Sequence, residues 1–200
     1  MAWTLLAILA AAAAAPALVR AVPRAAPWLL GAVPLAAGTW LLATYLGGGT
    51  LAADLGAWAP QFGVRFALRA DGLSALFAAL VGGIGGLVTV YAGGYLAGHP
   101  RLGRFYVLLL VFIAAMLGLV LADDLFLLFV CWELTSITSF FLIGFKDTDP
   151  DARASAQKAL LTTGLGGLAL LGGLVLLVAM GRDAGLAPDA ATSISELLRH

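Results

Sequence analysis

The chain has 200 residues, of which 62% are hydrophobic and 11% charged, and its formal net charge is zero. A soluble domain carries about half apolar and about a quarter charged residues. No soluble fold of this length buries so much apolar surface, whereas a bilayer does. The neutral balance excludes a basic footprint for nucleic acid, and the single cysteine, Cys131, excludes an intrachain disulfide.

A membrane span needs ~20 predominantly apolar residues. Six such runs occur, at roughly 2–19, 27–46, 72–96, 104–122, 125–145 and 156–180. The expected fold is therefore all-α, a polytopic transmembrane helix bundle of about six spans. In span one the first charge, Arg20, follows the apolar run, which argues for a retained helix over a cleaved secretory signal. Gly47, Gly48 and Gly49 end span two. Val64, Phe66 and Leu68 then alternate with Arg65, Ala67 and Arg69, the period of a strand. A short external hairpin is expected between spans two and three, with Asp71 capping span three. Gly82, Gly83, Gly85 and Gly86 lie inside that span without a preceding strand, which excludes a nucleotide-binding loop. Small residues four apart instead let a neighbouring helix come close.

His99, beside Pro100 in a short polar loop, is expected to face solvent; His200 is the last residue and carries no signal. Asp123 and Asp124 precede span five, where an acid caps a helix and favours the positive end of its dipole. Asp149 and Pro150 mark a capped helix start before span six. Residues 182–200 leave the membrane, and Ile194, Leu197 and Leu198 make them apolar enough to lie on its outer surface. Lys and Arg in short loops set orientation. They gather after spans one, three and five (Arg20, Arg24, Arg101, Arg104, Lys146, Arg153, Lys158), which places the N-terminus outside. Arg65 and Arg69 run against this pattern.

One acid stands inside a span. Glu133 is the ninth residue of span five, ~12 Å from Leu125 in a core ~30 Å thick. A charge at such a depth costs roughly 2.5–3.5 kcal/mol on insertion scales, so the side chain must face protein, water or a partner. Burial disfavours the ionised form of a carboxyl and a nearby cation favours it. A carboxyl balanced between the two loads and releases a proton. Ser136, one turn on, is a candidate hydrogen-bond partner of the acid; Trp132, Thr135, Thr138 and Ser139 read as packing. Lys158, two turns into helix six, either snorkels to water or relays protons, with Thr162 on its face. No residues suit a metal, a flavin or a nicotinamide, so no bound cofactor is expected.

Residues 132–145 (WELTSITSFFLIGF) closely resemble the fifth helix of the large A subunit of Mrp-type cation/proton antiporters. Residues 66–77 (FALRADGLSALF) resemble the segment entering that family's third helix. YAGGYL at 91–96 and GRFY at 103–106 match its third loop; KALLTT at 158–163 and GGLALLG at 166–172 fit its sixth helix. The resemblance covers roughly 62–200, and 1–61 match in hydropathy alone. It divides the chain into two first helices with the start of the external loop (1–61), an N-terminal antiporter-like segment (62–122) and the start of a proton-translocating domain (123–200). It implies that Glu133 belongs to a buried proton pathway, paired with a lysine on a seventh helix that lies beyond this sequence. The chain is then expected to be a fragment, or a half-length protein completed by others. Implied partners are other membrane subunits, protons, Na+ or K+, and the lipid of a bacterial plasma membrane. Antiporter-like subunits of respiratory complex I and of membrane-bound hydrogenases share the fold. After their Trp-Glu pair glycine- or valine-rich sequence is expected, and the LTSITS here favours the Mrp group. A reading of another class is a structural scaffold in which Glu133 only locks helices together.

Overall fold

The computed structural model describes residues 1–49 and 51–199; Thr50 and His200 lie outside them. Six helices are long and apolar enough to cross a membrane: α1 (Ala2–Ala21), α2 (Ala26–Leu46), α3 (Gly72–Tyr95), α4 (Leu102–Leu121), α5 (Leu125–Ile143) and α6 (Pro150–Asp183). Between α2 and α3 runs an antiparallel hairpin, β1 (Leu51–Ala59) and β2 (Val64–Ala70), and a short α7 (Ile194–Leu197) follows α6. The expected bundle, hairpin and span order are all present.

Local chemistry explains the boundaries. Asp71, Asp124 and Asp149 each accept a backbone N–H of the helix they precede, from Ser74, from Phe126 and Leu127, and from Asp151. These caps satisfy donors that a helix start leaves free. α6 begins at Pro150, six residues before its apolar run, because a proline suits the first helical position and the polar first turns need no lipid. At 34 residues it is ~51 Å long, well beyond a bilayer core of ~30 Å.

The bundle centres on α4. Half of its most apolar stretch is buried, against a third or less in every other span, and it packs on α1, α3 and α5. Tyr106, Leu110, Leu117 and Leu121 are fully enclosed there. α2 and α3 approach most closely. A Cβ on Gly82 would lie 2.5 Å from the Pro34 carbonyl oxygen and 2.8 Å from Gly38 Cα, and one on Gly86 would lie 2.7 Å from the Gly31 oxygen. The close approach expected of the α3 glycines thus holds for Gly82 and Gly86. Gly85 instead faces Ile113 of α4, and Gly83 faces open space.

One end of the bundle is closed by a cap built from three distant segments. β2 lies along the start of α5: Asp123 N–H donates to the Ala67 oxygen at 2.9 Å, and Arg65 N–H donates to Asp124 Oδ2 at 3.1 Å. The stretch after α6 folds back onto both. Ile194 N–H donates to the Asp123 oxygen, Ser195 N–H and hydroxyl donate to the Asp123 carboxylate, and Thr192 Oγ1 donates to the Gly63 oxygen. This modifies the expected surface-lying tail. Ile194 and Leu197 turn inward against Leu125, Leu174 and Val178, while Leu198 stays exposed. The hydrogen bonds to Asp123 and Gly63 fix that choice, and they join residues too far apart in sequence for any local pattern to reveal.

The opposite end is basic. Arg101 holds Asp147 through two hydrogen bonds of 2.6 and 2.8 Å and lies over the Phe145 ring. Arg153 donates to the Asp147 carbonyl.

A candidate intramembrane site at Glu133

Glu133 sits midway along α5, half-buried, with its carboxyl turned to α6. The two helices run antiparallel in even register. At the basic end a Cβ on Gly144 would lie 3.3 Å from Ala156 Cβ; in the middle Glu133 meets Gly167; at the capped end Leu125 clusters with Leu174 and Val178. Along α6 the buried positions Ala156, Gly167, Leu174, Val178 and Gly181 form a single stripe. That stripe is the buried face of α6, and its middle residue lies against the carboxyl.

A Cβ added at Gly167 would overlap Glu133 Oε1 and lie 3.2 Å from Cδ. The carboxyl therefore rests against bare backbone. Among the described residues it forms no hydrogen bond within 3.5 Å and no ion pair within 4.0 Å. The hydroxyls nearby are spent on their own helix. Ser136 Oγ donates to the Trp132 oxygen at 3.3 Å, Thr135 Oγ1 to the same oxygen at 2.7 Å, and Thr138 Oγ1 to the Leu134 oxygen at 2.7 Å. Ser136 is buried one turn from the acid without bonding to it.

Lys158 is not brought to Glu133. It is level with Leu142, nine residues before Gly167 and so ~13 Å along the helix. Nine residues also turn it roughly 180° from the buried stripe. Lys158 and Thr162 are exposed on that far face, where Thr162 Oγ1 donates to the Lys158 carbonyl at 2.9 Å. Asp123 and Asp124 are absorbed by structure. Asp124, 1% exposed, accepts from Phe126, Leu127 and Arg65, and Asp123 from Ser195. His99 is half-buried beside Phe145, closer to protein than a free loop position implies, and its Nδ1 accepts from Arg101 N–H. At the water-facing ends, the Gly56 N–H and then Arg65 hold the Asp54 carboxyl below the usual carboxylate range. Arg101 does the same for Asp147.

Gly167 is the residue at this site that sequence reasoning missed. Its place follows from the pairing of the two helices. Gly144 and Ala156 face each other across the turn, and eleven residues back from one and forward from the other lead to Glu133 and Gly167.

Two family models match the chain. The one described as NADH-Ubiquinone oxidoreductase (complex I), chain 5 N-terminus, matches residues 58–106. The one described as NADH:quinone oxidoreductase/Mrp antiporter, TM, matches residues 122–188 and so contains Glu133, Lys158 and Gly167. The Na(+)/H(+) antiporter subunit A1 proteins of Staphylococcus aureus strains JH9 and Newman are 45% identical over 143 residues, 72% of this chain. The chain spans 17% of the length of these relatives. Among solved structures, the Mrp complex from Dietzia sp. DQ12-45-1b is similar with a TM-score of 0.77 at 38% identity, over 89% of this chain and 19% of that one. The membrane-bound sulfane sulfur reductase, an archaeal respiratory membrane complex, shares the fold with a TM-score of 0.71 at 21% identity, over 96% of this chain and 28% of that one.

Proposed function

Because the chain belongs to the family of membrane subunits shared by NADH:quinone oxidoreductases and Mrp antiporters, we propose that it serves a multisubunit Na+ or K+/H+ antiporter, with Glu133 carrying the proton. The observation that carries this reading is the Glu133 carboxyl midway along α5, turned to a helix that gives it room without a bonding partner among the described residues. A carboxyl kept in a span at a cost of a few kcal/mol and left unbonded is poorly suited to lock helices together. It is well suited to exchange its proton when a cation approaches, because attraction between charges rises steeply at short range in a low-dielectric interior. That cation comes from other parts of the transporter. Ser136 lies within one turn of the path, while Lys158 and Thr162 mark its basic, cytoplasmic side, on the face of α6 turned away from α5. The working partners are other membrane subunits, the bilayer, protons and one alkali cation. The function is transport and not catalysis. The 45% identity to antiporter subunits supports this over a pumping subunit of a redox complex.

The test is proton flux coupled to Na+ or K+ in vesicles holding the assembled complex. Glu133→Gln abolishes exchange while assembly persists, Glu133→Asp keeps part of it, and Lys158→Ala slows it. Normal exchange by Glu133→Gln would transfer Glu133 to the scaffold reading. Normal exchange by Lys158→Ala would leave that lysine as a surface anchor.

A further inference from the structure

α6 is rich in glycine, yet its glycines are not equivalent. A Cβ at Gly164, Gly166, Gly172 or Gly173 would meet nothing within 4 Å. At Gly167 it would occupy the place of Glu133 Oε1. We propose that Gly167 is the positioning residue for the Glu133 carboxyl, the space of its missing Cβ being the seat in which that carboxyl rests. The functional weight of this inference rests on the proton-carrier reading; its geometry does not.

Gly167 lies mid-helix, where peptide N–H groups are spent in the helix ladder. It thus offers room and no hydrogen bond. A carboxyl in such a seat has a defined place and no competing donor, so a cation arriving from elsewhere finds it free. With a methyl in the seat, Glu133 must rotate off α6 toward the apolar face that carries Leu134 and Ile137, both exposed. The same methyl does not overlap a shorter acid, because an aspartate at 133 ends one methylene earlier, near the Cδ position 3.2 Å away.

Two measurements test this. The first is difference infrared spectroscopy of the chain in nanodiscs, with the Glu133 carboxyl band identified by its loss in Glu133→Gln. Gly167→Ala shifts the frequency and titration midpoint of that band, and Gly166→Ala leaves both in place. In the Glu133→Asp background, adding Gly167→Ala changes neither. The second is cation-coupled proton flux in the assembled complex. There Gly167→Ala lowers exchange about a hundredfold, the scale expected when a reacting group is misplaced by ~1 Å. The Glu133→Asp, Gly167→Ala pair matches Glu133→Asp alone. A glycine needed only for helix packing gives equal losses in both backgrounds, which would overturn the proposal. So would an unmoved band in Gly167→Ala, or an equal shift in Gly166→Ala. Failure of both Gly167→Ala chains to fold, with Gly166→Ala intact, would also assign Gly167 to packing. Normal flux in Glu133→Gln rejects the proton-carrier reading by itself and leaves the infrared outcome standing.

Discussion

Asp124, which caps α5, and Glu133, inside it, are nine residues apart, yet their surroundings oppose each other. Asp124 is enclosed and its carboxylate accepts three backbone N–H groups. Glu133 is half-buried and accepts none among the described residues. The first is a structural acid, and its removal is costly. Asp124→Ala removes a helix cap and leaves the Arg65 N–H without its acceptor. The expected loss is about 2–4 kcal/mol, read as a lower unfolding temperature in detergent or nanodiscs. Asp124→Asn keeps the cap and loses much less. An unchanged unfolding temperature in Asp124→Ala would show that the cap is not held by this residue. Depth and residue type made both acids legible in the sequence. The seat beneath Glu133 was not, because it depends on the pairing of two helices.

At the scale of elements, the α2–α3 pair is the tightest helix contact. Gly31 and Gly38 meet Gly82 and Gly86 with backbone against backbone. Small residues in this spacing let transmembrane helices pack without side chains between them. Gly82→Val should therefore push the pair apart and destabilise the chain by about 1–3 kcal/mol or more. Gly83→Val, facing open space, should do neither. Disulfide trapping between cysteines placed on α2 and α3 reads the separation directly, and equal trapping in the two variants would refute the argument. Hydropathy found this helix because a bilayer demands long apolar runs. The glycine spacing found the close contact, but it could not choose between Gly82 and Gly83, which differ only in the face they take. The hairpin was visible in the alternation of 64–69. Its docking on Asp123 and Asp124 was not, since those bonds join residues some sixty positions apart.

At the scale of the molecule, charge is sorted between the two ends. Arg20, Arg24, Arg101, Arg104, Lys146, Arg153 and Lys158 lie at one end; Arg65, Arg69, Arg182 and Arg199 lie at the capped end. Basic residues in short loops remain on the cytoplasmic side. We therefore predict that the capped end and the N-terminus face outward. In intact cells an impermeant thiol reagent should label Asp189→Cys and spare Arg101→Cys, in a Cys131→Ala background. The reverse pattern would invert the topology. The sequence disclosed this sorting because the lipid core confines charge to the ends of spans.

The two ends also differ mechanically. The capped end is stitched by backbone bonds and an enclosed carboxylate, while the basic end is held by the Arg101–Asp147 pair, whose side chains are 35% and 51% exposed. α5 is thus anchored like a lever with its fulcrum at Leu125. A tilt of about 5° about that fulcrum carries residue 133 by ~1 Å and residue 143 by ~2 Å, given ~1.5 Å of rise per residue. The acid then rides on the short arm, where small displacements are resolved finely, and the long arm sweeps the basic end. Amide exchange should follow the same gradient, slowest at 125–128 and fastest at 140–146. A flat profile along α5 would mean that both ends are clamped alike.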